Sequence, residues 1–146
     1  MKVLTNDRNL VVSLERGDRL VESLTRVARD GDFTSATFSG IGSVTDVTLG
    51  YYDVSEEAYV KRHFPDTYEL VSCLGNISMK EESPFVHAHV AISGRDYRPH
   101  SGHLFEATVA VVGELAIWPL GAEIQRTENR ELGLAIWNLE ECNHVQ

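Results

Sequence analysis

Residues 84–106 read PFVHAHVAISGRDYRPHSGHLFE, and this stretch holds four of the chain's six histidines. Its first arm, Phe85 to Ser93, alternates Val86, Ala88 and Val90 with His87, His89 and Ala91. Side chains at i and i+2 of a strand share a face, so the valines and Ala88 point to a core while His87 and His89 project together, about 7 Å apart. Ser93-Gly94-Arg95-Asp96 is a strong turn signal. The second arm, Gly102 to Val112, returns. Pairing His89 with His103 centres the turn at Asp96, and pairing His87 with His103 centres it at Arg95. Either register puts His103 beside one member of the pair and diagonal to the other, with Cβ separations of about 5 and 7 Å.

Three imidazoles at those separations can converge on one cation, and His87, His89 and His103 are the expected ligands. Such a set suits Zn²⁺ or another divalent transition metal. Three protein ligands leave a fourth position open for water or a small molecule, the pattern of catalytic rather than closed structural zinc sites. His100 has the opposite parity to His103 and belongs at the rim, unless Gly102 introduces a bulge. His100, Glu106 and Arg98 are the candidates for an outer shell around the ligands, with Tyr97 close by. An exposed histidine pair is also common on strands that bind nothing, and the third histidine at a hairpin-compatible index is what favours the metal.

Upstream of the hairpin the chain carries one strong helix signal. Leu20, Leu24, Val27 and Ala28 recur on one face of a helix over about residues 19–29, with Asp18 as expected N-cap, Glu22 and Arg26 as an i, i+4 pair, and Gly31 as the stop. Strands are expected at Val3–Leu4, Leu10–Leu14, Ser35–Ile41, Val44–Asp53, Tyr59–Phe64, Tyr68–Ile77, Leu115–Leu120 and Leu132–Leu139 besides the two arms. Gly40 and Gly42 mark a bend or close approach, and Gly75 a bulge or tight packing point. The polar run EIQRTENRE, residues 123–131, is expected to be an exposed turn. LAIW occurs twice, at residues 115–118 and 134–137, which two apolar strands can share by chance. The fold class that follows is α+β in a single domain, 1–146, with one main helix and a largely antiparallel sheet of seven to eight strands. One short helix cannot cover both faces of such a sheet, so an apolar face is left for a partner.

Composition sets the remaining bounds. The chain has 146 residues and a formal net charge of −9, a surface that repels a phosphate backbone and argues against nucleic acid as a partner. Cys73 and Cys142 have no CxxC spacing and fit free thiols in a reducing compartment. No signal peptide or membrane-spanning run is present in these residues, and the expected location is cytoplasmic. No phosphate loop, dinucleotide fingerprint or nucleophile elbow occurs.

Gly75–Ser78 (GNIS), His87–Gly94 (HAHVAISG), Gly102–Val109 (GHLFEATV) and the upstream FSGIGSVTDVTLGYYD, Phe38 to Asp53, together resemble the PPC domain of plants and prokaryotes, over about residues 3–140. That resemblance implies an α+β fold, a homotrimer, and in prokaryotic members a histidine metal site to which His87, His89 and His103 correspond. More distantly it implies likeness in fold to acetolactate decarboxylase, which holds zinc through an HxH pair and a third histidine. That likeness does not carry decarboxylase activity over to this chain. Plant members carry AT-hooks, and this chain has no Arg-Gly-Arg core or basic arm. Two functions therefore stand side by side: a metal-dependent enzyme acting on an unidentified small molecule, and a trimeric regulatory or DNA-associated module without catalysis.

Overall fold

A computed structural model describes residues 1–6 and 9–140; Cys142 lies outside the described residues. The described chain is mostly strand, with one helix. In order it runs β1 (Lys2–Thr5), β2 (Leu10–Glu15), α1 (Leu20–Asp30), β3 (Ala36–Asp53), β4 (Ala58–Phe64), β5 (Tyr68–Lys80), β6 (Ser83–Ser93), β7 (Pro99–Pro119), β8 (Gln125–Asn129) and β9 (Leu134–Asn138). All nine strands join one mixed sheet. Every pairing is antiparallel except β5 with β8, where Met79 and Lys80 lie opposite Gln125 and Arg126.

Two strands are far longer than the sequence suggested. Ser35–Ile41 and Val44–Asp53 fuse into the 18-residue β3. Gly102–Val112 and Leu115–Leu120 fuse into the 21-residue β7. The glycines that looked like breaks are irregularities within continuous pairing: the register of β3 on β5 slips between Gly40 and Gly42, and on β7 between Gly42 and Val44. A Cβ on Gly42 would overlap the Val112 carbonyl, so only glycine permits this crossing. β3 pairs with β5 along one edge and β7 along the other, and β6 also pairs with β5 and β7. The four strands thus form a closed circuit of pairings, and the sheet curls over its own inner face.

That inner face is the core. In β2 the inward Leu10, Val12 and Leu14 are buried and alternate with Val11, Ser13 and Glu15. Helix α1 turns Leu20, Ser23, Leu24, Val27 and Ala28 onto the same core, beside Phe38, Ile77, Ile92 and Ile117. Curling reduces what one helix must cover, but the outer face keeps exposed apolar side chains, among them Ile41, Val71, Leu74 and Val111.

The helix begins one residue later than expected and its cap is a different residue. Arg19 is the N-cap and makes no side-chain capping bond. Asp18 instead accepts from the Glu15 amide within the preceding turn, 2.8 Å. The carboxylate that serves the helix comes from β7: Glu106 accepts from the backbone N–H of Val21 at 2.8 Å and of Glu22 at 3.4 Å. A remote carboxylate at the first turn meets the same unpaired amides and the positive end of the helix dipole. Glu22 pairs with Arg19 at 3.5 Å, while Arg26 reaches the Met1 sulfur. Gly31 ends the helix.

The polar run expected to be a turn is the strand β8, paired along its length with β9. Its Arg126 is buried, and the acceptors that make this tolerable come from β5 and β9 (below). The two LAIW copies sit in unlike settings. In β7, Leu115 and Ile117 are core residues, whereas in β9 Ile136 and Trp137 are partly exposed.

Candidate metal centre

The hairpin has the register that His89 and His103 require. The β6–β7 pairs run from His89 opposite His103 to Ser93 opposite Pro99. The connecting turn, closed by Tyr97 N–H to the Gly94 carbonyl at 2.9 Å, spans residues 94–98. Beyond His89 the two strands part: β7 continues along β3, where His103 lies opposite Gly50, and β6 continues along β5, where His87 lies opposite Asn76. The three histidines therefore sit where one ladder divides into two. Val86, Ala88 and Val90 are buried on the other face, as the alternation demands.

The ring centroids of His87, His89 and His103 are 5.1 to 5.5 Å apart. One ligating nitrogen from each lies within 4.8 Å of the others. A tetrahedral zinc with Zn–N of about 2.05 Å brings nitrogens to roughly 3.3 Å, so small ring rotations close the set, and His89 is exposed and has room for one. The donor chemistry fits a cation. Burial, then Arg126 and His89, pushes the His87 pKa down to about 4. Burial, then His87, His89, Arg126 and Lys61, does the same to His103. Both rings are neutral at pH 7, the form that ligates metals. His103 Nδ1 is buried with no hydrogen-bond partner. Such an atom costs about 1–3 kcal/mol, a cost relieved by a cation on that nitrogen.

Aromatic rings and cations surround the triad, and Lys61 lies over the Phe105 ring at 3.8 Å. Tyr59 of β4 and Phe105 of β7 each hold their ring 4.9 Å from that of His103. The missing side chain of Gly50 makes room for both rings. Burial raises the Tyr59 pKa, with Tyr52 adding to it. Arg126 is 8% exposed. It donates to Ser78 Oγ, Asn76 Oδ1 and the Ala135 carbonyl, each at 2.8 Å. Its Nη2 approaches His87 Nδ1 at 3.3 Å. Arginine only donates, so His87 Nδ1 is the acceptor. Neither Arg126 nor Tyr59 stood out in the sequence, because each arrives from a distant strand.

The outer-shell candidates lie elsewhere. Glu106 accepts from the helix amides and faces Arg19 at 3.5 Å. His100 packs its ring against Phe64, at 4.8 Å, and Tyr68. Arg98 is exposed, with Asp96 at 3.8 Å. Tyr97, at positive φ in the turn, is exposed too.

A profile of the Plants and Prokaryotes Conserved (PCC) domain matches residues 1–120. The chain belongs to this family. Solved structures similar to this PCC domain include a metal-containing protein from Archaeoglobus fulgidus, 33% identical, with a TM-score of 0.84 over 94% of this chain and 99% of that one. A plant- and prokaryote-conserved protein from Pyrococcus horikoshii is 28% identical, with a TM-score of 0.84 over 94% and 93%. A protein from Bacteroides thetaiotaomicron VPI-5482, provisionally named as DNA-binding, is 27% identical, with a TM-score of 0.92 over 96% and 98%. No curated protein matches the PCC chain in sequence.

Proposed function

We propose that this PCC-domain chain binds one divalent transition metal, zinc first among them, through His87, His89 and His103, and presents an open coordination position to a small molecule. The observation that carries this reading is the convergence of three imidazole nitrogens within 4.8 Å of one another. The neutral state of His87 and His103 and the metal-containing relative from Archaeoglobus support it. A cation in such a site acidifies bound water and polarises a carbonyl oxygen. The protein's own part is to hold the three rings, with Tyr59 and Phe105 walling His103 from solvent.

The test is metal analysis of purified protein at neutral pH with zinc supplied. The expected result is about one metal per chain, retained through dialysis and lost in His89→Ala. Metal-free wild-type protein under those conditions overturns the reading. Turnover that disappears in a folded His89→Ala variant distinguishes an enzyme from a binding module. The same protein is proposed to act as a homotrimer, which the exposed apolar side chains of the outer face support. A DNA-associated role has the name of the Bacteroides relative in its favour. The net charge of −9 opposes it, because duplex binding is dominated by phosphate neutralisation. A duplex-binding titration is expected to show no salt-dependent affinity.

A further inference from the structure

Arg126 is a buried cation without an anion. Among the described residues it makes no ion pair. The acidic residues nearest to it along the chain are engaged elsewhere: Glu123 accepts from Gln125, and Glu128 holds Lys80. Neutral acceptors satisfy its hydrogen bonds, but they leave its charge uncompensated. The ring of Phe85 lies 4.9 Å away and that of Trp137 6.0 Å away. Between them the guanidinium reaches the histidine site, where Nη2 meets His87 at 3.3 Å.

The histidine cluster itself contains no carboxylate. A divalent cation on three neutral imidazoles keeps its full charge, and Arg126 adds one more. A concentrated positive centre in a chain of net charge −9 selects an anion, since buried charge is costly unless paired. A cleft of about 440 Å³ is lined by Asn76, His87 and His89 together with Leu74, Leu120 and Trp137. That volume suits a small organic molecule.

We infer that the ligand of this site is a small organic carboxylate, its carboxylate between the metal position and Arg126 and its apolar body against Leu74, Leu120 and Trp137. This rests on the metal reading above and adds the class of ligand to it. Arginine has five N–H donors, and Nη1 gives only one of its two to Ala135.

The experiment uses the full chain loaded with Co²⁺ in place of zinc, and reads the visible spectrum while benzoate or its neutral analogue benzamide is added. Benzoate is expected to shift the cobalt bands saturably, and benzamide to bind at least about tenfold more weakly. In Arg126→Gln the cobalt spectrum is expected to persist while benzoate affinity falls about tenfold or more. Equal binding of benzoate and benzamide, or equal benzoate affinity in the variant and the wild type, overturns the inference. If the variant does not fold, the wild-type contrast between the two probes decides alone. A cobalt spectrum blind to benzoate sinks the carboxylate but leaves the metal site standing. No cobalt spectrum sinks both.

Discussion

His87 and His103 are held neutral by the fold, chiefly through burial, and this has a measurable cost in acid. A histidine whose folded pKa lies below its unfolded value near 6.5 binds its proton more readily when unfolded. Stability is therefore fully present above about pH 6.5, falls as the pH drops below that, and stops falling from this cause near pH 4, where the folded rings also protonate. In metal-free protein the urea midpoint should decline across that window, and His87→Asn should flatten the decline. A midpoint independent of pH between 6.5 and 4 would show that the rings are solvated. Cys73 offers a control at the same scale. Burial pushes its thiol up to about 12, so with Cys142→Ser in place the native protein should not react with a thiol reagent at pH 8, whereas urea-unfolded protein should react at once.

At the level of elements, Glu106 shows how a strand residue can serve a helix. It sits three positions after a candidate ligand, yet its carboxylate accepts from Val21, Glu22 and Ala107 amides and ties β7 to α1. Glu106→Ala is expected to cost about 1–2 kcal/mol in unfolding free energy and to leave metal affinity unchanged. A tenfold loss of affinity would instead place Glu106 in the histidine site. The hairpin was legible because its information is local: alternation fixes the face, and Gly94 and Asp96 fix the turn. The helix was legible from its apolar stripe, but not the carboxylate that serves its first turn, which lies 85 residues from Val21 in sequence. Strand β8 was illegible for the same reason. Gln125 to Asn129 has no apolar residue; it is a strand through its pairing with β9 and β5, and Ser78, Asn76 and Ala135 give its buried Arg126 acceptors. The lengths of β3 and β7 were missed because glycine reads alike as a break and as a crossing point. Gly75 is such a point, since a side chain there would run into the His87 carbonyl and the Phe38 ring.

For the molecule as a whole, the outer face of the curled sheet carries an apolar patch. Two shallow clefts on that face share Ile41 and Glu114, and Val11, Val71, Leu74, Val111 and Val112 line one or the other. Ile41 is 56% exposed, Val71 56%, Leu74 59% and Val111 67%. Four large aliphatic side chains grouped in this way make a patch more typical of an interface than of a solvated surface. They come from β3, β5 and β7, three of the strands in the closed circuit, so the patch is as rigid as the core behind it. Leu74 also lines the cleft beside His87 and His89, which places any partner on this face next to the proposed ligand site. Burying each side chain is worth roughly 1.5–3 kcal/mol, and a single carboxylate in the middle would forfeit more than that through desolvation. On the homotrimer proposed above, the wild-type chain should sediment as a trimer at micromolar concentration. Ile41→Asp should sediment as a monomer with an unchanged far-ultraviolet circular dichroism spectrum, because Ile41 contributes nothing to the core. A wild-type chain that remains monomeric at high concentration would mean that the apolar face is covered by something other than copies of itself. An Ile41→Asp variant that remains trimeric would move the interface to another part of the surface.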